Sequence, residues 1–288
     1  MSQSLLEPYL GYMLPITYLN GAYLPSESAQ LHFSDLSILR GFAVFDYFRY
    51  LNRRPRFLAD HLARFRNSAR EMGMPFPLSD QELTEVVHQL IERNEAADGG
   101  IRFVLTGGYA LDGYTPTTPN LLAMAYPHKA PPEKLYRHGA KILLYVYRRQ
   151  TPRVKTTDYI QGIRLIPELE KTGCDFPLYV TEKGIVLESD RSNVFIVRDG
   201  VLITPAEGVL LGITRKHLIA LAGELSIPVE ERVVTLEELL LADEAIIASS
   251  TKGAMPITAT NQGVIAAGKV GPITQRLMDH WGIYCEGK

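Results

Sequence analysis

Short segments in the first half of the chain alternate between apolar and polar residues. In ITYLNGAYLP, over residues 16–25, the alternating run is interrupted by Asn20 and Gly21, the pair typical of a two-residue hairpin turn. FAVFDYFRYLNRRPRFL, over residues 42–58, repeats this arrangement with a turn near Asn52. The pattern therefore predicts two β-hairpins, which are joined by the loop LHFSDLSILRG.

Two further segments have the period of an amphipathic helix. The first helix is predicted to begin at Asp60, with apolar positions three or four residues apart. These positions are Leu62, Phe65, Ala69 and Met72. Ser79 and Glu82 form a capping box that begins a second helix. Its apolar positions are Leu83, Val86, Val87, Leu90 and Ile91. Strands at 101–107 and 121–126 complete an α+β pattern.

The polar, proline-rich segment YPHKAPPEKLY is the predicted linker. After it, short apolar segments again indicate strands, and longer periodic segments indicate helices. The predicted strands are KILLYVYRR, LYVT, IVLES, NVFIVRDGVLIT and AIIASS, and the predicted helices are GITRKHLIALAGEL, TLEELLLAD and GPITQRLMDHW. We therefore predict a small N-terminal domain over residues 1–126, a linker over 127–135 and a C-terminal domain over 136–288.

Composition and charge exclude several classes of function. The 288 residues are 46% hydrophobic and carry a formal net charge of −2, so no bulk charge attracts nucleic acid or an anionic membrane. The two cysteines, Cys174 and Cys285, are far apart in the sequence, which is typical of a reducing compartment. The predicted loose arm over residues 1–15 has no basic region before an apolar run. We therefore expect a cytoplasmic location.

Common metal-binding and catalytic motifs are absent from the sequence. The seven histidines form neither an HxxxH nor an HExxH pair, so we expect no metal site. GxSxG and Walker A patterns are also missing. No metal-based or motif-based chemistry therefore competes well with the individual candidate residues.

Lys155 and Glu188 are the leading candidates for catalysis. Lys155 stands in a short polar run after Pro152, and a lysine can form a Schiff base when burial or a neighbouring charge makes its amine neutral. Most lysines, however, are solvated at the surface. Glu188 ends an apolar strand, where a carboxylate can keep a pyridine nitrogen protonated. A solvated acid in a turn is the alternative.

Three other places in the sequence are candidates for phosphate binding. Ile213 and Thr214 open a helix, whose free N–H groups and positive dipole suit an anion, and an ordinary Thr N-cap is the alternative. Ser250 and Thr251 follow a buried strand, where a simple loop is the alternative. Arg64 lies at the edge of an apolar helix stripe, so it can pair with a phosphate or remain at the surface.

Seven segments, in this order, resemble the class IV aminotransferases. The segments are FAVFD, HLARF, VKTTDY, VLESDRSNVFIV, LLGITRK, LADEAIIASST and GPIT. The resemblance implies the mixed α/β fold of the fold-type IV enzymes, with a small N-terminal α/β domain, a larger C-terminal pseudo-barrel α/β domain and the cofactor between them. It also implies pyridoxal 5′-phosphate as cofactor, amino acids and 2-oxo acids as substrates, and a homodimer in which the loop over residues 31–41 reaches the partner's active site.

The resemblance implies a role for each candidate residue. Lys155 resembles the catalytic Schiff-base lysine, and Glu188 resembles the acid at the pyridine nitrogen. Tyr159 resembles the tyrosine near the phenolic oxygen of the cofactor, and it can return to the Lys155 site if residues 155–159 begin a helix. The implied phosphate contacts come from Arg64, Ile213, Thr214, Ser250 and Thr251.

Arginines dominate the predicted substrate site. Its candidate residues are Arg40, Phe45, Arg102 and Arg191. Guanidinium groups suit bidentate binding of carboxylates, and a salt bridge to Asp46 or Asp190 is the alternative. Several arginines fit a D-amino acid with 2-oxoglutarate or D-glutamate better than they fit leucine. We therefore favour a D-amino-acid transaminase over a branched-chain L-amino-acid aminotransferase, with an aminodeoxychorismate lyase or a cofactor-free binding protein as further alternatives.

Overall fold

The computed structural model describes residues 13–286. The N-terminal arm predicted over residues 1–15 therefore lies largely outside the described residues. The chain folds into two compact units. The first unit contains the described residues up to Lys129 together with Val154–Asp158, and the second contains Ala130–Arg153 and the described residues from Tyr159 onward. The return of a short segment to the first unit is not visible in a linear division of the sequence.

An antiparallel sheet of six strands forms the centre of the first unit. The strands are β1 (Ile16–Leu19), β2 (Ala22–Pro25), β3 (Ala43–Leu51), β4 (Arg54–Pro55), β5 (Gly99–Thr106) and β6 (Leu121–Pro127). They are hydrogen-bonded in the order β2-β1-β6-β5-β3-β4. Both predicted hairpins are confirmed. Asn20 and Gly21 turn the first hairpin with φ of 48° and 96°, and Asn52 and Arg53 turn the second with φ of 50° and 61°.

Three helices belong to the same unit. They are α1 (Leu36–Arg40), α2 (Leu58–Glu71) and α3 (Asp80–Arg93), and a 3-10 turn covers Ser26–Ser28. Both predicted amphipathic helices are confirmed, although α2 begins at Leu58 and not at Asp60. The capping box of α3 is also present, because the Ser79 hydroxyl accepts the Glu82 N–H and the Glu82 carboxylate accepts the Ser79 N–H.

The two faces of the first sheet have different surroundings. On one face, Phe48, Ile101 and Phe103 are fully buried in a core that also contains apolar residues of α2 and α3. Side chains alternate between the two faces along each strand. Phe45 and Arg102 therefore lie on the opposite face of the sheet.

A mixed sheet of nine strands forms the centre of the second unit. The strands are β7 (Ala140–Val146), β8 (Phe176–Val180), β9 (Val186–Ser189), β10 (Asn193–Arg198), β11 (Val201–Pro205), β12 (Val229–Arg232), β13 (Glu244–Ser249), β14 (Gly253–Thr260) and β15 (Gly263–Val264). Their order is β12-β11-β10-β13-β14-β7-β8-β9, with β15 paired to β14. Strand β7 is parallel to both neighbours, and β11 is parallel to β12. Strands β12, β14 and β15 were not predicted.

In the sequence of the second unit, helices precede, connect and follow the strands. They are α4 (Glu133–His138), α5 (Ile160–Arg164), α6 (Ile166–Thr172), α7 (Ile213–Glu224), α8 (Leu236–Leu240) and α9 (Pro272–Glu286), and a 3-10 turn covers Ala266–Gly268. Helix α4 lies partly in the segment predicted as a linker, and α5 and α6 were not predicted. Among residues 13–286, no helix has the length and apolar character needed to cross a membrane.

Candidate active site

Lys155 lies on an extended segment of the first unit. Its carbonyl accepts a hydrogen bond from the Phe45 N–H at 2.9 Å, and the Thr157 N–H donates to the Ala43 carbonyl at 3.1 Å. This segment therefore pairs with the start of strand β3 in an antiparallel bridge. The helix that we considered from Lys155 to Tyr159 is not formed.

The Lys155 side chain ends beside the aromatic ring of Phe45. Nζ lies 4.6 Å from the ring centroid, and the Arg102 guanidinium lies 5.5 Å from the same centroid. Arg102 also lies 5.5 Å from the ring of Tyr126, and within residues 13–286 it pairs with no carboxylate. The first unit thus brings together three predicted site residues, Lys155, Phe45 and Arg102.

Arg64 forms a buried ion pair with Asp46. Nε and Nη2 of Arg64 donate to the two oxygens of the Asp46 carboxylate, each at 2.8 Å. Burial opposes ionisation of Asp46, but the Arg64 guanidinium and the His61 ring outweigh it and hold the pKa of this carboxyl well below its ordinary value. Within the described part of the chain, Nη1 of Arg64 has no hydrogen-bond partner. This end of the guanidinium can therefore bind an anion.

Arg40 is exposed at the last position of helix α1. Its Nη1 donates to the carbonyl of Leu39 at 2.9 Å. This contact within the helix does not orient the guanidinium toward Lys155. The role of Arg40 in substrate binding therefore stays a prediction that depends on the implied homodimer.

In the second unit, Glu188 is buried near the end of strand β9. Its Oε1 accepts a hydrogen bond from Nη1 of Arg149 at 3.1 Å, and its Oε2 accepts the Leu210 N–H at 2.9 Å. The alternative of a solvated acid in a turn is therefore wrong. A carboxylate held at both oxygens presents its negative charge in one fixed orientation.

Tyr159 and Arg191 belong to the same unit as Glu188. Tyr159 precedes helix α5, and burial raises the pKa of its phenol to about 12, against the opposing effect of Arg149. The phenol is thus a hydrogen-bond donor at neutral pH. Arg191 pairs with Asp190, with 3.0 Å between Nε and Oδ2, and 62% of its side chain is exposed. The salt bridge that we considered as an alternative for Arg191 is therefore present.

Ile213 and Thr214 form the first turn of helix α7. The N-cap residue is Gly212, so no side chain caps the helix. The alternative of a Thr N-cap is therefore wrong. A Cβ atom at Gly212 would clash with Oδ1 of Asn193, which explains why glycine occupies this position. The first N–H groups of the helix have no intrahelical acceptor, and they are suited to an anion.

Ser250 and Thr251 lie in the turn that joins strands β13 and β14. The Lys252 N–H donates to the Ser249 carbonyl at 3.1 Å and closes this turn. Oγ1 of Thr251 lies 3.2 Å from Oγ of Ser249. Ser250 and Thr251 are half-buried in the second unit, and their proposed contact with a phosphate stays a prediction.

Most of the chain, residues 43–260, matches the sequence family described as amino-transferase class IV. This chain is a class IV aminotransferase. The predicted family is therefore confirmed, and the protein is an enzyme that transfers amino groups between amino acids and 2-oxo acids. Within residues 13–286 of this aminotransferase, no group of three His, Cys, Asp or Glu side chains could hold a metal ion.

Relatives named for two different substrates cover nearly all of this class IV aminotransferase. A Methanocaldococcus jannaschii protein, provisionally named a branched-chain-amino-acid aminotransferase, is 31% identical over 92% of this chain and 97% of its own. The D-alanine aminotransferase of Staphylococcus epidermidis is 28% identical over 93% of this chain and 97% of its own. A solved branched-chain amino acid aminotransferase with pyridoxamine 5′-phosphate, from T.th., is 26% identical, with a TM-score of 0.87 over 95% of this chain and 93% of that chain.

These comparisons confirm two further predictions for this class IV aminotransferase. The mixed α/β fold of fold type IV is confirmed, and so is pyridoxal 5′-phosphate as the cofactor. Each unit separately offers donors that suit a phosphate. In the first unit, Nη1 of Arg64 has no protein partner among the described residues, and in the second unit the first N–H groups of helix α7 have none. Glu188 supplies the buried carboxylate that a protonated ring nitrogen requires.

Three residues that were not predicted hold the predicted ones in place. Asp46 fixes Arg64, Arg149 contacts Glu188, and Ser68 accepts the backbone N–H of Lys155 at 3.1 Å. Asp46 lies inside the FAVFD segment, and this motif could have drawn attention to it. Arg149 and Ser68 have no comparable signal, because each is a single polar residue, one after strand β7 and one in helix α2.

Proposed function

We propose that this class IV aminotransferase is a D-amino-acid transaminase. It moves an amino group between a D-amino acid and a 2-oxo acid, with 2-oxoglutarate and D-glutamate as the dicarboxylic pair. The observation that carries the proposal is the Arg102 guanidinium, which lies beside Phe45 and has no acidic partner in residues 13–286. Such a guanidinium suits a substrate carboxylate, and Lys155 lies beside the same ring.

The handedness of the substrate follows from the position of the carboxylate-binding groups. Lys155 approaches the substrate from one fixed side, so exchanging an L- for a D-amino acid exchanges the places of the carboxylate and the side chain. Arg40 and Arg191 are further candidates for carboxylate binding, although Arg40 contacts the Leu39 carbonyl and Arg191 pairs with Asp190. The D-alanine aminotransferase of Staphylococcus epidermidis, with 28% identity, supports this assignment.

The residues of the chain perform the proton transfers. When bound, pyridoxal 5′-phosphate supplies an electron sink for the electrons left on the substrate carbon. Nζ of Lys155 removes the proton from the substrate Cα and returns a proton to this carbon in the reverse half-reaction. Glu188 would keep a proton on the ring nitrogen of the bound cofactor, and the protonated phenol of Tyr159 would serve as a hydrogen-bond donor to it. The proposed phosphate-binding residues are Arg64, Ile213, Thr214, Ser250 and Thr251.

A branched-chain L-amino-acid aminotransferase is the second candidate. It is favoured by the Methanocaldococcus jannaschii relative, with 31% identity over 92% of this chain. The salt bridge between Arg191 and Asp190 also favours it, because a paired guanidinium is less available to a substrate carboxylate. The two candidates share the residues that act on Cα and differ in the hand of the amino donor.

A screen of amino donors tests the proposed function. The purified protein is incubated with D-alanine, D-glutamate or L-leucine, each with 2-oxoglutarate, and the new amino acid is measured. We expect reaction with the D-amino acids, whereas reaction with L-leucine alone would establish the second candidate. Release of pyruvate from aminodeoxychorismate without an amino acceptor would indicate a lyase.

The variant Arg102→Gln tests whether Arg102 binds the second carboxylate of the oxo acid. We expect Arg102→Gln to raise the KM for 2-oxoglutarate about tenfold, because a charge-assisted contact is lost, and to leave the KM for pyruvate and kcat almost unchanged. Arg54→Gln, on the exposed end of strand β4, is the control and should leave both substrates unaffected. An equal rise in KM for both oxo acids would remove Arg102 from the site of the second carboxylate.

We also propose that the protein is a homodimer in the cytoplasm. The segment with helix α1 exposes large apolar side chains, including Phe33 at 71% and Ile38 at 57%, and exposed apolar patches are typical of interfaces. Light scattering of the purified protein tests the homodimer, and a mass of one chain would contradict it. Fractionation of cells tests the location.

A further inference from the structure

One side of helix α2 carries the proposed phosphate-binding residue and contacts the lysine segment. His61, Arg64 and Ser68 are three and four positions apart, so their side chains lie on the same side of the helix. His61 and Arg64 contact Asp46. The Ser68 hydroxyl accepts the backbone N–H of Lys155 at 3.1 Å. A single helix therefore fixes both groups.

The backbone of Lys155 is held from two directions. Its N–H donates to Ser68 on helix α2, and its carbonyl accepts the Phe45 N–H of strand β3 at 2.9 Å. Ser68 is fully buried, whereas Lys155 is half-buried. An N–H in this position that loses its acceptor carries part of the cost of desolvation. The segment would therefore have to move if this hydroxyl were removed.

Helix α2 also fixes the distance between Arg64 and the residue that binds the Lys155 backbone, Ser68. Ser68 follows Arg64 by four positions, which corresponds to a rise of about 6 Å along the helix axis. Arg64 cannot easily turn away, because two of its nitrogens bind the buried Asp46 carboxylate. The guanidinium and the lysine backbone are thus attached to one rigid element.

We propose that Ser68 is a positioning residue for Lys155. Its hydroxyl fixes the position of the Lys155 backbone along the axis of helix α2. This position in turn determines where Nζ lies relative to the Arg64 guanidinium. The inference rests on the proposed function, in which Arg64 holds the phosphate and Lys155 bonds to the aldehyde carbon of one cofactor. A serine that only stabilises the fold would affect unfolding and leave the capture of aldehydes by Lys155 unchanged.

Two variants of Ser68 separate the hydroxyl from side-chain shape. Ser68→Val and Ser68→Thr add the same branched volume, and only Thr keeps the oxygen acceptor. The cofactor-free protein is titrated with pyridoxal 5′-phosphate and with pyridoxal, which lacks the phosphate, and the lysine-bound product is followed by its visible absorbance and by reduction with borohydride. We expect Ser68→Val to bind both aldehydes about tenfold more weakly than Ser68→Thr.

Variants at other positions show whether a loss of aldehyde affinity comes from the Ser68 hydroxyl. Arg64→Gln should weaken binding of pyridoxal 5′-phosphate much more than binding of pyridoxal. Thr17→Val removes the hydroxyl of another buried residue of the same unit, which contacts Ser26 at 2.8 Å, and should change neither affinity. Equal affinities of the two Ser68 variants, or a loss confined to the phosphorylated aldehyde, would overturn the proposal. If wild-type protein forms no borohydride-stable bond at Lys155, the proposed function itself fails.

Discussion

At the scale of single residues, the Asp46 carboxylate determines which end of Arg64 faces a ligand. It binds Nε and Nη2 of Arg64 at 2.8 Å and also contacts the ring of His61 at 2.7 Å. Burial lowers the pKa of His61, so this ring is neutral near pH 7 and leaves Arg64 as the cation of the pair. The arrangement presents Nη1 outward, which suits the proposed contact with phosphate.

Asp46→Asn tests this buried ion pair. The substitution keeps the shape of the side chain and removes the charge that compensates the Arg64 guanidinium. We expect the free energy of unfolding of the cofactor-free protein to fall by about 3 kcal/mol, as measured by urea denaturation. Affinity for pyridoxal 5′-phosphate should also fall, because Arg64 is no longer held in one orientation.

Asp80→Asn is the matched control, because Asp80 pairs with Arg66 at the surface. Exposed pairs contribute less than about 1 kcal/mol, so this variant should unfold almost like the wild type. Equal losses in the two variants would show that burial of Asp46 adds nothing to its pairing with Arg64.

The sequence predicted candidate residues better than it predicted their partners. Lys155, Glu188 and Arg64 stand in recognisable motifs, although their roles stay predictions. Their partners are distant in the chain: Asp46 is 18 positions from Arg64, Arg149 is 39 positions from Glu188, and Ser68 is 87 positions from Lys155. No local period or motif relates residues so far apart, since only the folded backbone brings them together.

At the scale of secondary-structure elements, a buried carboxylate holds the start of the last helix. Oε1 of Glu244 accepts the Ile273 N–H at 2.9 Å, and Oε2 accepts the Thr274 N–H at 2.6 Å. Glu244 belongs to strand β13 and is buried. A negative charge at this end also complements the dipole of helix α9.

Glu244→Gln tests this contact between strand and helix. The amide keeps one oxygen acceptor, but the charge and the second acceptor are lost. We expect the free energy of unfolding to fall by about 1–2 kcal/mol, measured by urea denaturation. Glu82→Gln makes the same change in the exposed capping box of helix α3 and should cost less. A larger loss from Glu82→Gln would contradict the importance of burial.

The sequence predicted the amphipathic elements and missed those without a regular apolar period. Helices α2 and α3 bury one stripe each, and this stripe is visible in the sequence. Helix α5 exposes Ile160 and Ile163 at 67% and 64%, so its apolar residues do not mark a buried face. The segment at Lys155 is extended because it pairs with strand β3, a distant partner that local propensity does not reveal.

At the scale of the whole molecule, the order of motifs along the sequence predicts the enzyme family more clearly than it predicts the substrate. Motifs in one order extend over most of the sequence, and the family match covers residues 43–260. The substrate, by contrast, depends on where a few arginines lie. Relatives named for branched-chain and D-amino acids are 31% and 28% identical to this chain, which illustrates that one fold supports different specificities.

The protonation of Lys252 influences the stability of the whole molecule. Its amine is buried, donates to Oγ of Ser192 at 3.2 Å and lies 4.5 Å from the centroid of the Phe176 ring. Burial, with a smaller effect of Arg191, lowers the pKa of Lys252 from 10.5 to about 8, while Asp190 acts in the opposite direction. The folded protein therefore releases this proton at a lower pH than the unfolded chain.

The sign of the resulting pH dependence can be tested with Lys252→Met. Between pH 8 and 10.5 the unfolded chain binds a proton that the folded protein has lost, so the free energy of unfolding of the wild type rises with pH relative to the variant. The shift corresponds to a rise of roughly 3 kcal/mol, to be measured by urea denaturation of cofactor-free protein at both ends of this range. Lys171→Met, at an exposed lysine beside Glu168, should show no such rise. Parallel curves for wild type and Lys252→Met would mean that the buried amine stays charged over this range.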